Sequence, residues 1–321
     1  MEPQRPRGVG LFPAHRRRFL NMDKTAYIEF CRQAPPDFPV FMQHWYLDAV
    51  CAGGQWDAVV VYKREQIAGV LPFFYKKIGP FKYVTMPLLG RFMGPYLRPE
   101  WRAPMKATSL LKSLVDALPR FIAYSQDFNY SADNWLPFYW KKYRQTTRYS
   151  YVLDLNQSLE TLRDNLAPDY RNQKIPKAQT LMELRETPLS PADFLRIHDL
   201  SYTRQGLKAP VSVAFLEKLD AALVARQQRL ILSVCERESG AIAALAYLIW
   251  DQQRAYYLMA GEDPALRNSG AGILLAWEAI VYAKNTLQVP IFDFAGSMQP
   301  GIERVRRQFG AKQEMYLRVY R

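Results

Sequence analysis

Between Arg229 and Ala295 the chain reads as three strand-like segments, a glycine-bearing loop, an apolar helix and one more strand. Arg229–Cys235 and Ala241–Trp250 are aliphatic and β-branched, and the polar, glycine-containing turn between them marks a hairpin. Arg254–Ala260 follows as a third strand, Ala271–Ala283 as a helix and Pro290–Ala295 as a strand. Hairpin-joined strands followed by a strand–loop–helix–strand crossover describe a mixed sheet flanked by helices.

The first half repeats this order coarsely. Ala58–Lys63 and Gln66–Tyr75 read as strands across a short charged turn, Ala107–Ala117 as an amphipathic helix and Arg120–Tyr124 as a strand. A chain of 321 residues has the length of about two domains. The expected architecture is therefore α/β, with two tandem domains at 22–150 and 151–321 joined near residues 145–158. Each is expected to be a mixed, mostly antiparallel sheet flanked by helices, the first lacking a cofactor loop. Tyr170–Met182 reads as a basic helix with Arg171, Lys174 and Lys177. Ser190 and Pro191 read as the cap and first position of the next helix.

Composition narrows the partners. Hydrophobic residues make up 49% of the chain, which excludes a mostly disordered protein. The net charge of +13 favours anionic partners, whether nucleic acid, nucleotide cofactors or an anionic membrane surface. Cys31, Cys51 and Cys235 are too few and too scattered for a disulfide framework or a CxxC site, which fits a reducing cytoplasm. The longest clean apolar run, Ala241–Trp250, is short of the roughly 18–20 residues that a membrane span needs.

Residues 1–21 hold five arginines and one glutamate. Arg16-Arg17-Arg18-Phe19-Leu20 has the shape of a twin-arginine signal, but Asn21-Met22-Asp23-Lys24 replaces the apolar region that export requires. The segment is expected to be a disordered basic leader with Met22 as the functional start; a transit peptide or a nucleic-acid-binding arm is the other reading.

Arg267-Asn268-Ser269-Gly270-Ala271-Gly272 fits R/Q-x-x-G-x-G/A between a strand and a helix. Glycines there let backbone N–H groups approach phosphate oxygens, the helix N-terminus adds partial positive charge, and Arg267 adds a charged contact. Arg5-Pro6-Arg7-Gly8-Val9-Gly10 matches the same string without strand or helix around it, so context carries the argument. An ordinary loop and helix start is the plainer reading of 267–272. No His/Cys metal spacing, G-x-S-x-G elbow or Walker loop occurs in the sequence.

The order of several short motifs resembles the Fem-type peptidyltransferases and related acyltransferases of the GNAT superfamily. They are Tyr170-Arg171 with Lys174 and Lys177-Ala178, Thr203-Arg204-Gln205-Gly206, Ala255-Tyr256-Tyr257, Trp277-Glu278, Phe292-Asp293-Phe294-Ala295-Gly296-Ser297 and Arg307-Gln308-Phe309-Gly310-Ala311. Weaker resemblance reaches back through Trp56–Leu97. The resemblance implies tandem GNAT-like domains and acyl transfer from a thioester or an aminoacyl-tRNA to an amine. The long helical-hairpin insertion of some Fem proteins is missing, and the glycine loop is closer to that of acyl-CoA-binding GNAT proteins. Acetyl-CoA or another acyl-CoA is therefore the expected donor, with aminoacyl-tRNA as the alternative and a non-catalytic tRNA-binding scaffold as the third reading. Lys141-Lys142-Tyr143-Arg144 with Arg148, and the 171–177 cluster, would be the scaffold's contacts, or simply solvated faces. The acceptor would be an amine-bearing small molecule or a cell-envelope precursor.

Such chemistry needs a base for an amine of pKa about 10.4, donors for the developing oxyanion and an acid for the leaving group. The resemblance places the oxyanion donors at the Leu258 and Met259 backbone. Asp293 is the candidate base or acceptor anchor; an ion pair with a nearby arginine or contacts to loop N–H groups is its plainer role. Tyr256 and Tyr257 lie on opposite faces of one strand, so one can face substrate while the other enters the core. Tyr256 and Ser297 complete the candidate catalytic set, Ser297 also being a natural cap. Tyr202, Arg204 and Tyr257 are expected to line the acceptor pocket.

Overall fold

The computed structural model describes residues 20–186, 189–296 and 298–321. The first half runs β1 (Leu20–Met22), α1 (Lys24–Arg32), α2 (His44–Val50), β2 (Gln55–Lys63), β3 (Gln66–Ile78), β4 (Phe81–Thr85), β5 (Tyr96–Leu97), α3 (Pro104–Asp116), β6 (Ala123–Asp127) and α4 (Leu136–Trp140). The second runs β7 (Arg144–Asp154), α5 (Leu159–Asp164), α6 (Ile175–Leu181), β8 (Met182–Arg185), α7 (Pro191–His198), α8 (Leu200–Thr203) and α9 (Val213–Val224). It continues through β9 (Arg229–Glu236), β10 (Ile242–Trp250), β11 (Arg254–Glu262), α10 (Ala271–Tyr282), β12 (Ile291–Asp293), α11 (Pro300–Gln308) and β13 (Lys312–Tyr320).

All thirteen strands join one sheet, in the order β1-β2-β3-β4-β6-β13-β7-β12-β11-β10-β9-β8, with β5 beside β3. This is the mixed α/β architecture expected, and the internal repeat is visible in the pairing. β2, β3 and β4 are antiparallel and β4 runs parallel to β6 after α3. β9, β10 and β11 are antiparallel and β11 runs parallel to β12 after α10. The expected leader falls outside the described residues except at its end, where Leu20 and Asn21 pair with Val61 and Val60.

Local sequence sets the element ends. Asp23, Ser158, Ser190 and Ser212 each cap a helix by accepting a backbone N–H from three residues on, and Pro191 occupies the first turn after Ser190. β8, like the short β1, is a strand that sequence periodicity does not reveal. It has four residues, directly continues a helix and alternates only Met182 into the core.

The junction is an exchange of strands. β13, the last strand in the chain, pairs with β7 from Lys312 to Tyr320 and with β6 from Arg318 to Tyr320. Arg318 clamps Asp127 with two hydrogen bonds of 2.5 and 2.8 Å across that seam. Residues 145–158, the expected junction, span most of β7 and the turn after it. One face of the sheet carries a core shared by both halves, where α1 and α2 meet α7 and α9. The opposite face has two separate cores, under α3 and α4 and under α10. Among the described residues no helix is long and apolar enough to cross a membrane.

Candidate functional site

The two parallel strand pairs end differently, and that difference makes the site. In the first half the gap beyond β4 and β6 is closed: Met93 bridges Phe128, donating to Asp127 O at 2.8 Å and accepting from Asn129 N at 2.7 Å. In the second half β11 and β12 pair only over Arg254–Tyr256 against Ile291–Asp293. Among the described residues β11 runs on to Glu262 without a strand partner on that side. Its register against β10 jumps from Tyr257–Leu248 to Met259–Tyr247, leaving Leu258 as a bulge at the start of the free edge. The Leu258 carbonyl accepts from Arg91 Nη2 at 3.4 Å, so a side chain of the first half reaches this gap.

Beside the gap, on the α10 face, lies a cavity of about 720 Å³. Tyr257, Gly261 and Glu262 of β11 form one wall; Arg267, Asn268, Ser269, Gly270 and Gly272 form the floor. Lys174 and Lys177 come from the basic segment, Val305, Arg306 and Phe309 from α11 and its end. Gly270 holds φ +82°, and a Cβ there would sit 3.0 Å from the Lys174 carbonyl, so the loop's tight passage over the basic helix requires glycine. Lys174 pairs with Asp169 at 2.7 Å. Arg306 lies over the rings of Phe294 at 4.6 Å and Tyr257 at 5.2 Å. Among the described residues Arg306 has no carboxylate partner, its shielded Nε has no hydrogen-bond acceptor, and burial lowers its pKa.

The helix N-terminus at this loop is already supplied with acceptors. Ala271 N donates to Ser269 Oγ at 3.2 Å, Gly272 N to Glu262 Oε1 at 3.3 Å and Ile273 N to the Gly270 carbonyl at 3.1 Å. A coenzyme A diphosphate laid on Gly270–Gly272 would meet the Glu262 carboxylate, so the cradle as built does not fit that group. Burial raises the Glu262 pKa; the Gly272 N–H and the charges of Arg267 and Arg204 oppose the rise.

Of the residues expected to bind the donor, Arg267, Asn268, Ser269, Gly270 and Gly272 line the cavity. Ala271 is fully buried, and Leu258 and Met259 sit at the gap rather than on the cavity wall. Tyr257 lines the cavity, and among the described residues its hydroxyl has no hydrogen-bond partner. Tyr256 points to the other face, donates to Asp251 Oδ2 at 3.1 Å and borders a separate cavity of about 260 Å³. Tyr202 stacks near His198, with ring centroids 5.4 Å apart, and Arg204 is exposed; neither lines the cavity, though Ser201 does. Ser297 lies outside the described residues.

Asp293, the candidate base or acceptor anchor, is fully buried. It accepts from Tyr130 Oη at 2.7 Å, Ser150 Oγ at 2.5 Å, Ala295 N at 2.8 Å and Arg254 Nη1 at 3.4 Å. Burial raises its pKa, and Arg254 heads the contacts that oppose the rise. It does not line the cavity, and its contacts tie the loop after β6, through Tyr130, to β7, β11 and the turn after β12.

Sequence reasoning did not single out Glu262, Arg306 or Arg91. Glu262 ends the strand before the glycine loop and Arg306 immediately precedes the quoted Arg307-Gln308-Phe309, so adjacency was the available signal. Arg91 belongs to a loop of the other half, and nothing local points to it. Among the described residues no cluster of His, Cys, Asp and Glu is arranged to hold a metal.

Residues 171–304 match the model of the GNAT acetyltransferase domain, a span that runs from the basic segment through the cavity to α11. Over the whole fold the chain is similar to FemX, with a TM-score of 0.70 at 11% identity, covering 92% of this chain and 96% of that one. A tandem GNAT protein of the clavulanic acid biosynthesis pathway gives 0.52 at 14%, covering 84% and 83%. A GNAT-family acetyltransferase from Colwellia psychrerythraea gives 0.52 at 11%, covering 94% and 98%. At these identities the likeness establishes the fold, which is that of Fem-like tandem GNAT proteins. Comparison with curated protein sequences gives no match.

Proposed function

We propose that this GNAT domain, set in its Fem-like tandem fold, is an N-acyltransferase. The observation that carries the reading is the open end of β11 and β12, where the Leu258 bulge stands at a gap beside the cavity in the second half while the equivalent gap in the first half is closed. A donor held in the cavity presents its acyl carbonyl to the Leu258–Met259 backbone, whose amides are assigned to hold the developing oxyanion. The acceptor amine enters from the face that carries Arg91. Its nitrogen bonds to the carbonyl carbon, and the bond from that carbon to the carrier oxygen or sulfur breaks. The Tyr257 hydroxyl, without a hydrogen-bond partner among the described residues, is assigned to donate a proton to the leaving atom; the amine, entering uncharged, gives one proton to water, and Tyr257 is reprotonated from water. Asp293 is assigned to hold the sheet junction.

Lys177, Arg267 and Arg306 make the cavity suited to a donor on an anionic carrier. Two carriers are consistent with that charge. Aminoacyl-tRNA is favoured by Glu262, which occupies the place of a diphosphate; acyl-CoA, acetyl-CoA included, is favoured by the matching domain model. The acceptor we favour is an amine on a small molecule or a cell-envelope precursor, and the compartment a reducing cytoplasm. The test is transfer itself: acetyl-CoA and charged tRNA are each incubated with the chain and a panel of amines, and the acylated amine is sought by mass spectrometry. Transfer from either donor is the expected result. Transfer from neither, with tRNA bound in a salt-dependent manner, would replace this reading with a binding scaffold.

A further inference from the structure

Glu262 stands in an unusual position for an acidic residue. Its carboxylate accepts the Gly272 N–H at 3.3 Å, in the first turn of α10. An added Cβ on Gly272 would lie 3.1 Å from Glu262 Oε1, so a larger residue there would press on the carboxylate. Arg267 from the turn before α10 and Arg204 from the end of α8 contribute positive charge around it. Helix terminus, backbone amide and two guanidinium groups together describe an anion site, and its resident anion is part of the chain. Ser269 Oγ and the Gly270 carbonyl engage the neighbouring amides, so little donor capacity is left for a second anion.

We infer that Glu262 is a specificity-determining residue that excludes a diphosphate from the glycine loop and selects a donor presenting hydroxyl or ammonium hydrogens there. The inference rests on reading the 720 Å³ cavity as the donor site. A carboxylate and a phosphate about 4 Å apart at a protein surface repel strongly enough to change affinity by tenfold or more. Glu262→Gln keeps an oxygen for Gly272 N–H and removes the charge. Glu262→Asp keeps the charge and draws it back by one methylene.

The experiment measures binding of coenzyme A and of pantetheine, which lacks the diphosphate and nucleotide, by titration calorimetry. Native chain, E262Q and E262D are compared, with circular dichroism confirming that each is folded. E262Q is expected to bind coenzyme A at least about tenfold more tightly than the native chain, with pantetheine unchanged and E262D showing no gain. A smaller gain for E262Q, or an equal gain for pantetheine, overturns the inference. Acyl transfer by the native chain is measured separately with both donors, so failure of the acyltransferase reading is distinguishable from failure of this one.

Discussion

Asp293→Ala would remove a fully buried carboxylate that four donors share at the meeting of β7, β11 and the turn after β12. Ser150 Oγ, Tyr130 Oη and Ala295 N would each lose an acceptor, while Arg254 would keep Glu314 at 2.6 and 2.8 Å. Breaking a buried ion pair from one side costs about 3–5 kcal/mol, and the stranded hydroxyls and amide bring the loss into that range. Asp293→Asn keeps one oxygen for Ser150 and Ala295 and should cost less than half as much. Urea unfolding followed by tryptophan fluorescence at pH 7 measures both. The pH dependence supplies a second check. Burial raises the Asp293 pKa, so the ionisation-linked part of its contribution, taken relative to D293N, is fully present below the unfolded value of about 3.9 and is lost as pH rises through the folded value, while the hydrogen bonds that D293A removes persist at pH 7. The native chain's stability relative to D293N should therefore fall as pH rises from about 4 and level off once the folded value is passed. A cost below about 1 kcal/mol for D293A would refute the anchor role. Unchanged stability of D293N with transfer abolished would refute it too, and return Asp293 to the role of base.

Three further outcomes follow from the same geometry. Gly270→Val forces a branched side chain to φ +82° against the Lys174 carbonyl, and should cost about 1–2 kcal/mol in thermal unfolding and remove donor-induced stabilisation. Arg229→Ala leaves Asp220, which Arg229 holds at 2.6 and 3.0 Å, buried beside Tyr247 without its cation; a loss of about 3 kcal/mol by urea unfolding is expected, and no loss would show the pair to be idle. Burial pushes the Cys31 thiol up to about 12 and Cys51 higher, so thiol-reagent labelling at pH 8 should be slow in the native chain and fast in urea.

The fold was legible where periodicity and caps agree. The repeated order of hairpin strands, helix and parallel strand could be read from apolar runs, and Ser190-Pro191 marked a helix start to the residue. Opposite-facing Tyr256 and Tyr257 also follow from strand alternation alone, and the two tyrosines do enter different cores. What escaped was whatever depends on chain segments far apart in sequence. Arg91 reaches Leu258 across 167 positions, and three of the four partners of Asp293, Tyr130, Ser150 and Arg254, come from three stretches far from it in sequence. The glycine loop was visible as a string, but the carboxylate that fills it comes from ten positions earlier. A motif reports the backbone's shape, and the side chain that folds into that shape is set by tertiary packing.

The place of β13 bears on how the molecule is made. Its residues close the sheet between β6 and β7, yet they are synthesised only after all the strands from β8 to β12. Until they emerge, β6 and β7 each present an unpaired edge, and Asp127 waits for Arg318. Contacts so distant in sequence form slowly, and open edges invite pairing with other chains. The first half therefore cannot close its part of the sheet until the second half has supplied β13, and the two halves assemble together.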